Sequence, residues 1–402
     1  MVIRLRTGVA AAAALCAVAV SPLGAQAGER YAIRAAKIVT ITQGAVDHGL
    51  ILVRDGKIEA VGPAAAPVPK GYAVVDVGDR WVMPGMIEVH AHIGVGGGLN
   101  DMVSQTNPGM RIGDGLDLDD EAVRDALSVG ITTINALPGS GTNHAGFGVI
   151  YKTAGATRSE RVVRPIGAMK IAQFANPERP AGDIGHSLMG MTWLLRDYVQ
   201  RARAYAERKP SAERDLALEQ AALAFRGDVP VLIHTYQTWG MAMTMHMFQD
   251  EFHLPAIASH CYDSGHLMAA DAARRGFPVD VGPGLVDLYG AADGRMYGVP
   301  AQYDRAGVDS LTVCTDSPVL PESALPDQGA MSARFGVDDA TALRLVTINA
   351  ARALLLEDRL GSIEPGKDAD LVVKRTSLLD PTTPVELVFV NGRVAYDARP
   401  KH

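Results

Sequence analysis

The sequence contains little cysteine. Only three of its 402 residues are cysteine, and a chain of this size with so few cannot rely on a disulfide framework. Cys16 lies in the apolar segment near the N-terminus, whereas Cys261 and Cys314 lie at the ends of predicted strands. We therefore interpret Cys261 and Cys314 as small buried residues, and a bridge between them as the weaker alternative.

Clusters of basic residues are also missing. The formal net charge is -7, and no stretch concentrates lysine and arginine. This argues against nucleic acid as a partner, because binding to a phosphate backbone needs a basic patch. With 48% hydrophobic and 21% charged residues, the composition is that of an ordinary globular enzyme.

No apolar run is long enough to span a membrane. The run 9–20 is ended by Ser21 and Pro22, whereas a membrane helix needs about 20 apolar residues. A basic start precedes this run and the Ala-x-Ala pattern at 25–27 follows it, which is the order of a secretory signal peptide. We predict a signal peptide over 1–27, no membrane anchor, and an exported protein that is periplasmic if the source is a Gram-negative bacterium.

The stretch 81–92, WVMPGMIEVHAH, predicts a strand with two histidines at its C-terminal end. Side chains at i and i+2 share one face of a strand, so His90 and His92 can offer two imidazole nitrogens to one ion. Two solvated histidines on a half-exposed strand are the alternative interpretation of this pattern alone.

Beyond this stretch, apolar strands alternate with amphipathic helices, for example 118–129 and 241–252, which predicts a parallel α/β barrel. The segment 187–226 is predicted to be rich in helix. The predicted barrel strands are 81–92, 130–136, 146–152, 163–172, 230–234, 255–260, 277–281 and 310–316.

Three further candidate ligands lie at predicted strand ends. His234 ends the fifth strand, His260 the sixth and Asp316 the eighth. The carboxyl ends of barrel strands meet at one face, so these side chains should converge with the two histidines of the first strand. Imidazole and carboxylate suit Zn2+ first, with Mn2+ or Fe2+ as alternatives. Asp316 is then the predicted general base and acid for attack by a metal-activated hydroxide.

Several motifs resemble one known family. Residues 84–92 resemble the first-strand signature of the amidohydrolase superfamily, metal-dependent hydrolases built on a (β/α)8 barrel, and 361–371 resembles the segment that leads from that barrel back into a terminal β-sandwich. Residues 169–179 and 314–319 resemble blocks of exported, imidazolonepropionase-like members. The resemblance covers nearly the whole chain after the signal peptide. It implies a hydrolase that acts on a carbon–nitrogen bond of a small-molecule substrate, and weakly implies a homo-oligomer.

The resemblance also implies roles for individual residues. His90, His92 and Asp316 would hold a first metal ion, and His234 and His260 a second. In the binuclear members a lysine on the fourth strand is carbamylated by CO2 and bridges the ions. Lys170 matches that position, and Lys152 is the alternative if the strand count slips by one.

The chain departs from the family pattern at two candidate substrate-binding positions. Tyr236 and Ser317 stand where relatives often carry histidine, so substrate choice cannot be transferred, and both should line the pocket. His144, in a glycine-rich loop after the second strand, is the third candidate; a solvated loop histidine is its alternative interpretation.

The two ends of the chain predict one accessory domain. Short strands with turns at Asp55-Gly56 and Asn391-Gly392 suit a small β-sandwich formed by both termini. The predicted terminal strands are 32–41, 50–54, 57–61, 72–77, 369–373, 385–390 and 393–396. The predicted domains are thus an N-terminal sandwich segment, 28–82, the barrel, 83–358, and a C-terminal sandwich segment, 359–402.

We therefore predict a metal-dependent amidohydrolase that cleaves an amide, peptide or cyclic amide bond. One alternative is a mononuclear enzyme, either imidazolonepropionase-like or a deaminase, in which Lys170 is structural. The resemblance disfavours the deaminase branch, because deaminases of this type place a glutamate near the sixth-strand histidine, and no such glutamate stands just before His260. A second alternative is an inactive binding protein on the same barrel.

Overall fold

The computed structural model describes residues 30–178, 185, 187–208, 213–287 and 296–399. The predicted signal peptide, 1–27, lies outside the described residues. Among those residues, no helix combines the length and apolar character needed to cross a membrane. Both Cys261 and Cys314 are buried free thiols, as predicted.

Twenty strands are described, and most match the predicted segments within a few residues. They are β1 (Arg30–Val39), β2 (Ala45–Arg54), β3 (Lys57–Pro63), β4 (Ala73–Asp76), β5 (Trp81–Pro84), β6 (Met86–Ala91), β7 (Ile131–Ala136), β8 (His144–Phe147), β9 (Val149–Lys152), β10 (Val162–Arg164), β11 (Met169–Ala172), β12 (Val231–Thr235), β13 (Ala256–His260), β14 (Val279–Val281), β15 (Val286–Asp287), β16 (Tyr297–Gly298), β17 (Leu311–Val313), β18 (Leu371–Lys374), β19 (Val385–Val390) and β20 (Arg393–Asp397).

The described helices lie mostly between the strands from β6 onward. They are α1 (Glu121–Ser128), α2 (Arg158–Arg161), α3 (Leu188–Glu207), α4 (Leu216–Glu219), α5 (Ala221–Phe225), α6 (Thr238–Thr244), α7 (Ala269–Arg275), α8 (Val299–Arg305), α9 (Leu325–Arg334), α10 (Asp339–Leu345) and α11 (Ile348–Ala353). A π-helical turn, Met245–Glu251, continues α6, and 3-10 turns span Ile112–Gly115, Gly265–Met268 and Glu322–Ala324.

The strands of both chain ends share one eight-stranded sheet. Its order is β20-β19-β18-β5-β1-β2-β3. The first half of β1 also pairs with β4, on the side opposite β2. The antiparallel pair β5–β18 joins the two ends of the chain. Asp55-Gly56 and Asn391-Gly392 adopt positive φ, as the predicted tight hairpin turns require. The described strands of the two chain ends form this single sheet, so a sandwich of two facing sheets stays a prediction.

Three predicted barrel strands are each divided. The first, 81–92, is split between β5, which lies in the terminal sheet, and β6. The segment 146–152 is split between β8 and β9, and 163–172 between β10 and β11. The halves belong to different sheets: β10-β9-β7-β6 form a four-stranded sheet and β17-β14-β13-β12-β11-β8 a six-stranded one. Neighbouring strands from β11 through β12, β13 and β14 to β17 run parallel, as predicted.

Backbone contacts connect the two sheets at both edges. At one edge, Ala91 and Ser317 form an isolated parallel bridge, and the His92 amide donates to the Ser317 carbonyl at 2.7 Å. At the other edge, the Gly148 amide donates to Ala168 and the Gly167 amide to Gly148, both at 2.8 Å. The described strands thus form two abutting sheets rather than one closed ring, and the closed (β/α)8 barrel stays a prediction.

Candidate metal centre

The six predicted metal-binding side chains come together at the carboxyl ends of the strands. His90 lies on β6, Lys170 on β11, His234 on β12 and His260 on β13, whereas His92 and Asp316 follow β6 and β17. The register explains the convergence, since Ala172 pairs with His234 and Thr235 with His260 on neighbouring parallel strands.

The distances between these groups are those of a compact cluster. His90 Nε2 lies 2.7 Å from Lys170 Nζ and 3.5 Å from Asp316 Oδ1, and His92 Nε2 lies 3.1 Å from the same Asp316 oxygen. The rings of His234 and His260 are 4.2 Å apart between centroids. Ligand atoms of His90, His260 and Asp316 all lie within 4.8 Å of one another. These three side chains are therefore close enough to be candidate ligands of one ion.

The outer ring nitrogens of two histidines are fixed by carbonyl oxygens. His92 Nδ1 donates to Leu137 O at 2.8 Å, and His260 Nδ1 donates to Gly282 O at 2.6 Å. A carbonyl can only accept, so the proton lies on Nδ1 and the lone pair on Nε2. In each ring, Nε2 is thus the atom left to bind an ion.

The other two histidines are held by serines. His90 Nδ1 lies 2.7 Å from Ser259 Oγ, and His234 Nδ1 lies 3.0 Å from Ser140 Oγ. The Nε2 atoms of His234 and His260 are buried and have no hydrogen-bond partner among the described residues. Buried nitrogens are seldom left in this state, so these orphaned atoms fit a site built for a metal ion.

Burial keeps the imidazoles neutral. It lowers the pKa of His260 to about 4, against a smaller opposing effect of Asp316, and lowers the pKa values of His90 and His234 well below the ordinary value. Neutral imidazole is the form that binds metal. Burial also lowers the pKa of Lys170 to about 8, which increases its neutral, reactive fraction near neutral pH.

Asp316 differs from the buried histidines because its neighbours favour its charged form. Burial raises its pKa, but the hydrogen bond with His92 and the electrostatic interactions with His260 and Lys170 outweigh that effect, so the pKa of Asp316 lies below its usual range. The carboxylate is therefore ionised at neutral pH and able to accept a proton.

Unusual backbone conformations position two of the ligands. His260 has φ 81° and Asp316 φ 51°, both in the left-handed region that non-glycine residues seldom adopt. Such strain is concentrated at functional sites, where the surrounding structure enforces it. Gly282, which accepts the hydrogen bond of His260, has φ 154°, and a Cβ there would overlap the Cys314 carbonyl.

The two candidate bridging lysines have different surroundings. Both are fully buried, but Lys152 forms ion pairs with Asp370 and, at 3.2 Å, with Asp368. Those aspartates precede β18 of the terminal sheet, away from the histidine cluster. The geometry therefore favours Lys170 over Lys152 for a role at the cluster.

Tyr236 lies beside the cluster, as predicted for a pocket residue. Its ring centroid is 5.7 Å from that of His234, and it stacks on Tyr262 at 5.5 Å. Phe174 packs edge-on against Tyr236 at 4.5 Å and against the half-exposed Trp239 at 4.4 Å. These four rings form a continuous aromatic wall, which sequence reasoning identified only at Tyr236.

Ser317 and His144 have surroundings that differ from those expected. Ser317 is buried, and its hydroxyl hydrogen-bonds to Glu322. The His144 ring is fully buried, stacked on Tyr198 at 4.7 Å, and burial lowers its pKa to about 3. A solvated loop histidine is therefore wrong, and the substrate-binding roles of both residues stay predictions.

Sequence reasoning missed several buried polar groups behind the ligands. Glu88 accepts from the His90 amide at 2.9 Å and from both the amide and hydroxyl of Thr315, at 2.9 and 2.7 Å, and so braces the ends of β6 and β17. Asp280 accepts from Ser259 Oγ at 2.6 Å. The signal in the sequence was the same for both, a lone carboxylate within an apolar strand segment, at 86–89 for Glu88 and at 279–281 for Asp280.

Comparisons with known proteins agree with this fold. The sequence model of the amidohydrolase family matches residues 292–395. The chain is 28% identical to the imidazolonepropionase of Hyphomonas neptunium, over 87% of this chain and 92% of that protein. It is 27% identical to the amidohydrolase tasK of Hapsidospora irregularis over 88% of this chain, but spans only 39% of that longer protein. The crystal structure of an amidohydrolase from Thermotoga maritima is 28% identical with a TM-score of 0.82, covering 91% of this chain and 100% of that one.

Fold and site together define an α/β protein with candidate metal ligands at the carboxyl ends of its strands. The chain is similar to members of the amidohydrolase superfamily, imidazolonepropionases among them, and these similarities indicate a hydrolase that acts on carbon–nitrogen bonds.

Proposed function

We propose that this chain is a metal-dependent amidohydrolase in which Asp316 is the general base and acid for hydrolysis of an amide, peptide or cyclic amide bond. The observation that carries the proposal is the convergence of four imidazoles, each with Nδ1 held from behind, on the Asp316 carboxylate and the Lys170 amine.

His90, His92 and Asp316 would hold one ion, and His234 and His260 a second, with a carbamylated Lys170 between them. Zn2+ suits this donor set best, and Mn2+ and Fe2+ are alternatives. The 2.7 Å approach of Lys170 Nζ to His90 Nε2 supports the bridging role, because a carbamate on that nitrogen would lie next to a candidate metal ligand.

A bound ion would supply Lewis acidity and activate a water molecule for attack on the substrate carbonyl. Asp316 would take the proton from that water, since its pKa lies below the usual range and its side chain is partly open. It would then return the proton to the leaving nitrogen. Leu137 and Gly282 would keep His92 and His260 oriented throughout.

The substrate would be a small molecule that packs against the aromatic wall of Tyr236, Tyr262, Phe174 and Trp239. Dipeptides, N-acyl amino acids and cyclic amides all have suitable bonds. A mononuclear, imidazolonepropionase-like hydrolase is the second candidate, and the similarity to the Hyphomonas neptunium enzyme favours it. In that case Lys170 would be structural.

The proposal also covers the architecture and the location. The two abutting sheets would belong to one (β/α)8 barrel, which the hydrogen bonds at both edges support. Signal-peptide features in 1–27 support export, most simply to a periplasm.

The test is the metal content of protein purified with Zn2+ and bicarbonate, together with hydrolysis of a panel of dipeptides, N-acyl amino acids and an imidazolone ring. We expect two ions per chain, turnover of at least one amide class, and loss of turnover in Asp316→Asn. One ion per chain with turnover of the imidazolone alone would favour the second candidate. Absence of both metal and turnover would instead indicate an inactive binding protein.

A further inference from the structure

A chain of buried hydrogen bonds extends from His90 away from the proposed metal. His90 Nδ1 lies 2.7 Å from Ser259 Oγ, which donates at 2.6 Å to Asp280 Oδ2. Thr312 Oγ1 donates at 2.8 Å to the other oxygen, Asp280 Oδ1. All four side chains are buried. None of them except His90 has a role in the function proposed above.

The order of donors and acceptors in this chain fixes the protonation of His90. Asp280 accepts hydrogen bonds from the hydroxyls of Ser259 and Thr312, one at each oxygen, which is the pattern of an ionised carboxylate. Ser259 has one hydroxyl proton, which points at Asp280, so its oxygen must accept from His90 Nδ1. The lone pair of His90 then lies on Nε2, the atom that faces Lys170 and Asp316.

The same residues could instead be a second metal site, because atoms of His90, Asp280 and Cys314 lie within 4.8 Å of one another. The hydrogen bonds argue against this. Both oxygens of Asp280 already accept hydroxyl hydrogen bonds, and His90 Nδ1 already has Ser259 as its partner. A metal ion there would have to displace three buried hydrogen bonds.

We propose that Ser259 and Asp280 are positioning residues that hold His90 in the tautomer able to bind metal through Nε2. The inference rests on the proposed role of His90 as a metal ligand. Carboxylates reach the outer nitrogen of metal-bound histidines in many sites, and their loss typically weakens metal binding by about 10- to 100-fold. Here a serine hydroxyl relays that effect from a carboxylate on the neighbouring strand β14.

The test compares Ser259→Ala with Thr312→Val. Each variant removes one buried hydroxyl that donates to Asp280, but only Ser259→Ala removes the partner of His90. Zn2+ affinity is measured by competition with a chelator, and the Co2+ absorption spectrum reports ligand geometry. Thermal unfolding of the metal-free proteins shows whether the two variants are destabilised equally.

We expect Ser259→Ala to bind Zn2+ about 10- to 100-fold more weakly and to show an altered Co2+ spectrum, whereas Thr312→Val keeps the affinity and spectrum of the parent. Equal affinities of parent and Ser259→Ala would overturn the inference and leave the proposed function intact. A parent that binds no metal would overturn both. If Ser259→Ala does not fold, Asp280→Asn, which keeps the volume but removes the charge, decides in the same way.

Discussion

Two buried lysines should respond in opposite ways to the same substitution. The positive charge of Lys152 is balanced by ion pairs with Asp368 and Asp370. Lys170 contacts His90 Nε2, and among the described residues no carboxylate forms an ion pair with it. Methionine is close in volume to lysine and has no charge. In the metal-free protein, Lys170→Met therefore removes an unpaired buried cation, whereas Lys152→Met leaves two buried carboxylates without their partner.

The magnitude for Lys170 follows from its pKa, which burial lowers from 10.5 to about 8. At roughly 1.4 kcal/mol per pKa unit, this difference lowers the free energy of unfolding of the metal-free protein by on the order of 3 kcal/mol. Because the pKa is lower in the folded state, the cost is fully present below pH of about 8 and disappears as the pH rises towards about 10.5. Lys170→Met should remove that cost at neutral pH.

The assay is urea unfolding of the chelator-treated parent, Lys170→Met and Lys152→Met at neutral and alkaline pH. We expect Lys170→Met to raise the free energy of unfolding by up to about 3 kcal/mol at neutral pH and by less at alkaline pH. When Zn2+ is added back, this variant should bind less metal than the parent. Lys152→Met should lower it by about 3–5 kcal/mol, the usual result of breaking a buried ion pair. If Lys170→Met destabilises the metal-free protein as much as Lys152→Met does, the assignment of Lys170 as an unpaired site residue is refuted.

Three further predictions concern single side chains. His260 stays neutral down to pH about 4 in the folded protein but titrates near its ordinary pKa of about 6.5 when unfolded, so the metal-free protein should lose stability as the pH falls from about 6.5 to about 4. Unfolding measured as a function of pH checks this, and His260→Gln should lose less stability over that range than the parent. An equal loss in His260→Gln would contradict the prediction. His144→Phe should keep or raise the melting temperature, since both ring nitrogens are buried without a partner among the described residues; an increase in KM would instead support its substrate-binding role. Tyr236→Phe should raise KM or change substrate preference while metal content stays that of the parent, and a loss of metal would contradict its assignment as a wall residue.

Local patterns in the sequence predicted most elements of the fold. Period-two apolar segments gave the strands of the terminal sheet, and the Asp55-Gly56 and Asn391-Gly392 pairs predicted turns that need positive φ. The divided strands were not predictable in this way. An apolar segment such as 146–152 has the same composition whether it forms one strand or two, and only its neighbours decide which sheet each half joins.

The candidate ligands were predictable for a similar reason. Each of His90, His92, His234, His260 and Asp316 sits at or just after the end of an apolar segment, and parallel strands bring such ends to one face whatever the helices between them do. Residue type and position along a strand were therefore enough to nominate the metal centre.

Only the tertiary structure decided what surrounds those ligands. Both Lys152 and Lys170 lie among apolar residues, and the three-dimensional partners alone distinguish an ion pair with Asp368 from a contact with His90. The link from His90 through Ser259 to Asp280 joins β6 to β13 and β14, which are far from β6 in sequence. Hydrogen bonds between side chains depend on register and direction across strands, which no local pattern of residues encodes, so these contacts became visible only once the strands were side by side.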